Sequence, residues 1–459
     1  MRSSGGSMDT FDFVVIGAGA AGEAAAHLAL VRGRSVAVVE RDLAGGSCPF
    51  WACMPSKTLL HAAALHAVGD TYPWPRASDR RDYMIVREGI DYPDDSSHVH
   101  ALEAAGGTVI RGTARLDGPG RVVVAQADGV TRELAAKDVI VAVGSGSKIP
   151  PIEGLEACDP WTNREATSTR ELPSSLVVLG GGPTGVELAQ VYARYGVATT
   201  IVEHNARLLA RDHPRNSEAV RSGLERDGVA VRTGVQAVRA RAGAGSRGNH
   251  VVDLDSGPSV EGERILVAIG RSFPLAELGL GSVGVDVLTL RPDGRLLVGP
   301  GLWLIGDPAG PEMHTHLSHY QGEMAVRMAL GDPVRPDYRA IPRCTYADPE
   351  AAFVGLSLEQ AQAGGDDAVE FVESVPTSAK GYVSETEFGH VTIVVDRASR
   401  TLLGAAIAGP PGSTEAIHEA VLAIKTGLTI DVLADTIHAF PTTARVFGAA
   451  CIRAARELA

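Results

Sequence analysis

At 459 residues the chain is too long for a single hydrophobic core and predicts two to four domains. Apolar content of 45% and charged content of 21% match a soluble globular protein, and 53 glycines suit an α/β fold rich in tight turns. A net charge of −13 argues against a nucleic-acid or anionic-membrane surface, and no stretch reaches the roughly 18–20 apolar residues of a membrane span. Residues 1–10 carry no apolar signal core and read as a short extension ahead of an alternative start at Met8. Five cysteines in so long a chain do not form a disulfide scaffold. They predict a reducing cytoplasm, with one working pair and three bystanders, Cys158, Cys344 and Cys451.

An apolar run at 11–16 leads into Gly17-Ala18-Gly19-Ala20-Ala21-Gly22 and an Ala/Leu-rich helix over 23–31. A second strand over 35–39 ends in Glu40. Strand, GxGxxG, helix, strand and terminal acid together make a dinucleotide signature. Gly17, Gly19 and Gly22 let backbone approach a pyrophosphate at a helix N-terminus, and Glu40 accepts from ribose hydroxyls.

Gly45-Gly46-Ser47-Cys48-Pro49-Phe50-Trp51-Ala52-Cys53-Met54-Pro55-Ser56-Lys57 follows, with two cysteines in C-x4-C spacing. A helix from about 52 to 60 would set both sulfurs near its N-terminus, where the macrodipole favours a thiolate. Such a pair can cycle between dithiol and disulfide. Two structural cysteines or half a zinc site are the other readings, but no second Cys/His pair lies at metal spacing nearby, so no metal is expected. A helix is predicted over 55–68, a loop over 71–75 and a helix end over 99–105. Strands are predicted over 108–115, 122–125 and 138–143, the last running through Ala142 into the small-residue turn of Gly144 and Ser145.

From 176 the first signature repeats. A strand over 176–179, the loop Gly180-Gly181-Gly182-Pro183-Thr184-Gly185, a helix over 186–195 and a strand over 199–202 lead to Glu203. Gly180, Gly182 and Gly185 take the roles of the first loop's glycines. Two signatures imply two nucleotides, and a flavin with a nicotinamide is the simplest pair able to communicate with a cysteine couple. A hairpin tip is predicted over 239–248. A strand over 264–269 leads to Gly270-Arg271, and one over 302–305 to Gly306-Asp307, ahead of a His-rich turn and a helix over 316–330. Beyond about 341, strands over 351–354, 388–395 and 402–408 and a helix over 413–426 make an α+β segment without a nucleotide signature.

With these residues in view, the chain resembles the FAD-dependent pyridine nucleotide–disulfide oxidoreductases, the group of dihydrolipoamide dehydrogenase, glutathione reductase and mercuric reductase. The motifs run nearly end to end: GAGAAG at 17–22, GGSCPFWACMPSK at 45–57, AVGS at 142–145, GGGPTGVE at 180–187, AIGR at 268–271, IGD at 305–307, DPE at 348–350 and IHAFPT at 437–442. The resemblance implies two Rossmann-like dinucleotide-binding domains plus a C-terminal α+β dimerisation domain. FAD would bind to 1–150 and 267–335, NAD(P) to 151–266, and 336–459 would form the homodimer interface. It further implies that Cys53 faces the flavin, that Cys48 is the interchange thiol, and that Lys57 and Glu187 pair beside the flavin. Gly46, Ser47, Lys57, Ala142, Gly144, Ser145, Gly270, Arg271, Gly306 and Asp307 would contact cofactor, with Asp307 on the ribityl chain. Glu203 stands where NADPH users of the group carry Arg. A carboxylate repels a 2′-phosphate, so the expectation leans to NADH over NADPH, tempered by Arg207 and Arg211 close behind.

At the C-terminus the chain departs from that group. Its disulfide reductases end in His-x-His-Pro-Thr-x-x-Glu, the second His shuttling protons for the interchange thiol. Here Phe440 occupies the position of that base and Arg445 that of its orienting acid, while His438 remains two residues away and is expected to point elsewhere. The Cys-Pro-x-x-Ala-Cys box and the Phe also resemble 2-ketopropyl-coenzyme M oxidoreductase/carboxylase, in which proton exclusion protects a carbanion-like intermediate. The expectation is therefore an enzyme that moves electrons from NAD(P)H through flavin to the Cys48/Cys53 couple and on to a small-molecule acceptor. A thioether-cleaving enzyme of the ketopropyl type and a low-turnover redox-sensing flavoprotein are the alternatives.

Overall fold

In the computed structural model, residues 8–69, 71–86, 93–291 and 293–459 are described; the expected N-terminal extension, up to residue 7, lies outside them. Two compact units emerge. One comprises 1–55, 79–147 and 271–338; the other comprises 56–78, 148–270 and 339–459.

The first unit is built on an eight-stranded sheet. Its continuous path runs Leu297–Gly299, Leu302–Leu304, Thr131–Val141, Asp9–Ile16, Val36–Glu40 and Thr108–Arg111, all parallel except the first, and two hairpin strands branch from Thr131–Val141. Strands Asp9–Ile16 and Val36–Glu40 pair with Val14 opposite Ala37 and Val15 opposite Val38. Their buried stretches, 13–16 and 36–39, are apolar throughout because layers cover both of their faces. The helix Ala20–Val31 lies against the helix Thr315–Ala329, and a side chain at Gly322 would meet the Ala21 carbonyl oxygen at 2.4 Å. Gly322 thus permits the close helix approach that fixes where residue 315 lies.

The second unit holds a parallel four-stranded sheet, in the order Ala230–Thr233, Ala198–Glu203, Ser175–Leu179, Arg264–Val267, and a small antiparallel sheet. It also holds a five-stranded antiparallel sheet, in the order Arg343–Thr345, Glu350–Gly355, Leu402–Gly409, His390–Asp396, Ala368–Ser374. Helices Ile417–Thr426 and Thr443–Glu457 supply apolar side chains to the core on one face of that sheet. The segments expected as separate NAD(P)-binding and dimerisation domains meet within this unit. Arg194, with its side chain 7% exposed, bonds Asp227 at 2.7 Å and Asp348 at 2.6 Å, and Asn216 donates to the Ala352 carbonyl at 2.9 Å.

Three differences from the sequence expectation have physical causes. A helix, Trp74–Val86, begins inside the segment expected as a loop. Pro75 falls in its first turn, where no N–H is needed, and Trp74 is buried against Tyr192 and Tyr195 with its indole N–H on the Arg170 carbonyl. The strands Arg343–Thr345 and Ala368–Ser374 and the helix Thr443–Glu457, left unassigned from sequence, complete the C-terminal layer. Ahead of the helix expected from about 52, which runs Cys53–Ala67, an unforeseen single turn, Ser47–Trp51, carries Cys48, and the two are broken at Ala52 with φ −131° and ψ −99°. A helix running through would bring the Pro55 ring against the Trp51 carbonyl and leave that carbonyl without its donor. Each proline instead sits in the first turn of its own helix.

Candidate active site

Two glycine loops organise the candidate nucleotide sites, and they are built alike. Gly17 (φ +101°) and Gly180 (φ +110°) hold backbone that disfavours any side chain, and a Cβ on either would press into the carbonyl oxygen of Ala142 or Ala268 at 2.5 and 2.4 Å. A Cβ at Gly22 or Gly185 would strike the first glycine's own carbonyl oxygen at 1.9 or 2.0 Å, so the last glycine lets the helix start against its strand. The middle glycines, Gly19 and Gly182, cap their helices without a side-chain bond. A Cβ at Gly182 would meet nothing within 4 Å, and one at Gly19 only the Gly46 Cα at 3.8 Å. Each loop thus leaves an open approach to the first helical N–H groups, which is what a pyrophosphate requires.

The terminal acids repeat as closely. Glu40 accepts from the N–H groups of Ala18 and Asp42, both at 2.7 Å, and Glu203 from those of Gly181 and Asn205, both at 2.6 Å. Both carboxylates are buried, and each ties the strand end to its own glycine loop. Arg207, which tempered the lean to NADH, donates to the carbonyls of Leu209, Ala210 and Asp212 and to the Ser217 hydroxyl. Its guanidinium serves the loop's own backbone; Arg211 is exposed.

In the first unit, Gly45 (φ +94°) and Gly46 (φ +69°) turn the chain into the cysteine box. Gly45 pairs with Gly19, and a Cβ at Gly46 would meet the Gly19 Cα at 2.8 Å, so the box is seated directly on the nucleotide loop. Ser47 opens the short helix, Cys48 follows it, and Cys53 opens the next helix. Both are free thiols in hydrogen-bond contact with each other. Hydrogen bonding to Cys53, then burial, push the Cys48 thiol well above its ordinary range. The expectation that one helix terminus favours a thiolate at both sulfurs therefore fails at Cys48. The three other cysteines, all in the second unit, have thiols pushed upward mainly by burial, Cys344 to about 11.

Thr315, first residue of its helix, brings Oγ1 to 3.4 Å from the Cys53 sulfur. The flanking His314 and His316 rings stack at 4.9 Å, and His314 Nε2 lies 3.4 Å from Glu312. Ser145, Arg271 and Asp307 also converge: the Ser145 hydroxyl donates to Asp307 and accepts from Arg271, whose guanidinium also bonds the Ser145 carbonyl at 2.8 Å. Gly144 (φ +61°) and Gly306 (φ +76°) shape the two turns. At the edge of the second unit, Gly270 (φ +127°) accepts from the Lys148 N–H at 3.0 Å.

In the second unit, Lys57 Nζ bonds Glu187 at 2.7 Å, with the carboxylate buried and the lysine over one-third exposed. The other Glu187 oxygen accepts from the Tyr346 N–H at 2.9 Å, and Lys57 lies over the Tyr346 ring at 4.8 Å. A buried acid thus holds a partly exposed cation in one place. The His438 side chain is 4% exposed, its Nε2 lies 2.9 Å from Glu419, and its ring fills the space that a side chain at Gly448 would need. Phe440, by contrast, is 73% exposed. Sequence reading missed Thr315, Tyr346 and Glu419. Only the His-rich turn hinted at the first; the others act through contacts distant in sequence.

Comparison with known proteins accords with this geometry. Residues 11–322 match the family described as pyridine nucleotide-disulphide oxidoreductase, and 341–451 match its dimerisation domain. A dihydrolipoyl dehydrogenase of Chlorobaculum tepidum is 33% identical over 449 residues, covering 94% of each chain. A mercuric reductase of Streptomyces lividans is 32% identical over 455 residues, covering 95% of this chain and 94% of the other. Among solved structures, LpdA of Mycobacterium tuberculosis superposes with a TM-score of 0.85 at 26% identity, covering 97% and 99%. A Cu(II) complex of the HOCl-induced flavoprotein disulfide reductase RclA of Escherichia coli superposes with a TM-score of 0.86 at 24% identity, covering 97% and 100%.

Proposed function

Since the chain belongs to the pyridine nucleotide–disulphide oxidoreductase family and is an oxidoreductase of the flavoprotein type, we propose that it passes electrons from NAD(P)H through FAD to a Cys48/Cys53 couple and on to an external acceptor. The observation that carries this reading is the hydrogen-bonded thiol pair seated on the first nucleotide loop. FAD, when bound, supplies the exchange between hydride from a nicotinamide and electron pairs for a disulfide. The open first loop and Glu40 fit its adenosine half, and Ser145, Arg271 and Asp307 stand ready to bind its polar chain. Lys57, fixed by Glu187, holds a positive charge in place without needing to reorganise.

The second loop fits a nicotinamide nucleotide, and NADH is the proposed donor. Glu203 is a buried carboxylate at the ribose position, and Arg207 is occupied by its own loop. The matched dimerisation domain supports a homodimer in which the partner completes the site around Phe440. The acceptor is one that needs no proton from an enzymic base: an unusual disulfide, a thioether or a soft metal ion. Phe440 cannot transfer a proton, and the nearby His438 is already paired with Glu419.

The FAD-loaded protein titrated anaerobically with NADH should develop a long-wavelength absorbance band, and Cys53→Ser should abolish it. A band that survives Cys53→Ser would remove the couple from the pathway. Lipoamide, glutathione disulfide, mercuric and cupric ions, and ketopropyl thioethers, each tried as an NADH-consuming acceptor, then separate the acceptor classes.

A further inference from the structure

Lys57 is a part-exposed ammonium on the helix Cys53–Ala67, and Glu187 takes one side of it, at 2.7 Å. The Tyr346 ring takes another, its centroid 4.8 Å from Nζ, inside the roughly 6 Å over which an aromatic face attracts a cation. Where that ring stands is set by its backbone. The Tyr346 N–H donates to Glu187 at 2.9 Å, the Asp348 N–H to Gln190 Oε1 at 2.7 Å, and Gln190 Nε2 to the Asp348 carbonyl at 2.9 Å. Glu187 and Gln190 both belong to the helix Pro183–Arg194, so the segment after the strand Arg343–Thr345 is pinned to that helix without help from the ring. Burial, then the neighbouring Cys344 and Glu187, push the Tyr346 phenol up to about 12, so the ring meets Lys57 as a neutral π-face and not as a phenolate.

We propose that Tyr346 is a positioning residue: its ring face and the Glu187 carboxylate form a two-sided clamp that holds the Lys57 charge in one place. The carboxylate alone leaves the ammonium free to swing about a single contact, because a flexible four-carbon stem carries it and the side chain is over one-third exposed. A second attractive surface, set by backbone bonds in which Lys57 takes no part, removes that freedom. No proton or electron passes through Tyr346. It acts through Lys57 alone, and it changes how constantly the cation's field acts on a flavin beside it. The inference rests on reading Lys57 as the cation beside the flavin.

The test uses the FAD-loaded protein with three replacements. Tyr346→Phe keeps the ring and drops the hydroxyl, Tyr346→Leu keeps apolar bulk and drops the ring, and pentafluorophenylalanine at 346 keeps the shape but reverses the polarity of the ring face. The backbone N–H persists in all three, so the bond to Glu187 is retained; should Tyr346→Leu fail to fold, the fluorinated ring against Tyr346→Phe decides. Acylation of Lys57 by an N-hydroxysuccinimide ester, read by mass spectrometry, should run about two- to fivefold faster with leucine or the fluorinated ring, the range that a part-exposed cation–π contact supports, and stay at the wild-type rate in Tyr346→Phe. The flavin midpoint potential should move to more negative values in the same two proteins, and further in Lys57→Met, with Tyr346→Phe at the wild-type value. Acylation and potential unchanged by the fluorinated ring, or a Tyr346→Phe that behaves like Tyr346→Leu, overturn the clamp while leaving the Lys57 reading intact. A Lys57→Met potential equal to that of wild type overturns the reading of Lys57 as the flavin's cation, and the role of Tyr346 with it.

Discussion

His98 is a residue whose charge is decided by its neighbours. Its Nδ1 lies 2.8 Å from Glu23, and its ring stands where a side chain on Gly45 would go, so it braces the turn that leads into the cysteine box. Hydrogen bonding to Glu23, against the cost of burial, raises its pKa above the ordinary 6.5. A raised folded pKa means that the stabilisation is fully present below about pH 6.5 and is lost as pH rises through the folded value. Glu23→Gln should therefore destabilise the protein more at pH 5.5 than at pH 8.5, as read from urea midpoints. Equal destabilisation at both would show that His98 holds no charge there. The same scale explains why Lys57 and Glu187, 130 residues apart, were recognisable in advance while Tyr346 was not. Lys57 and Glu187 sit in motifs, whereas Tyr346 contributes a backbone N–H and a ring face, which no sequence pattern marks.

Among the elements, the helix Thr443–Glu457 shows the cost of the C-terminal departure. Thr442 caps it by accepting from the Arg445 N–H at 3.1 Å, half of a capping box. Arg445 occupies the position from which Glu would return the bond, and it adds positive charge at the positive end of the dipole. Arg445→Glu should stabilise this helix start by about 0.5–1.5 kcal/mol, seen as slower amide exchange over its first turn. Faster exchange there would mean that Arg445 holds a partner worth more than the cap. The break at Ala52 belongs to this scale too. Two prolines and a C-x4-C spacing were visible, but that each proline opens its own helix follows from backbone geometry that periodicity does not express.

Across the whole molecule, the proposed electron pathway runs as far as Cys48, and Phe440 and Arg445 stand where the resembled motif has His and Glu. Phe440→His combined with Arg445→Glu restores both missing side chains. If their absence limits disulfide chemistry, NADH-dependent lipoamide turnover should rise at least about tenfold, within the 10²–10⁴-fold range of general acid–base help. Wild type already turning over lipoamide as fast as the double variant would end the case from the missing base.

The family, the two glycine loops and the neighbouring cysteines were legible in the linear sequence because each depends on local order: glycines where φ is positive or a Cβ would strike backbone, an acid at a strand end, two cysteines beside a helix start. Close repetition of the two loops, down to the N–H groups held by Glu40 and Glu203, follows from that same local order. Tertiary structure alone decided what surrounds the couple. Thr315 meets Cys53 across 262 residues because Gly322 lets two helices touch, and His438 turns inward because Glu419 and Gly448 make room for it. Such contacts depend on packing distance, to which neither periodicity nor spacing along the chain is sensitive.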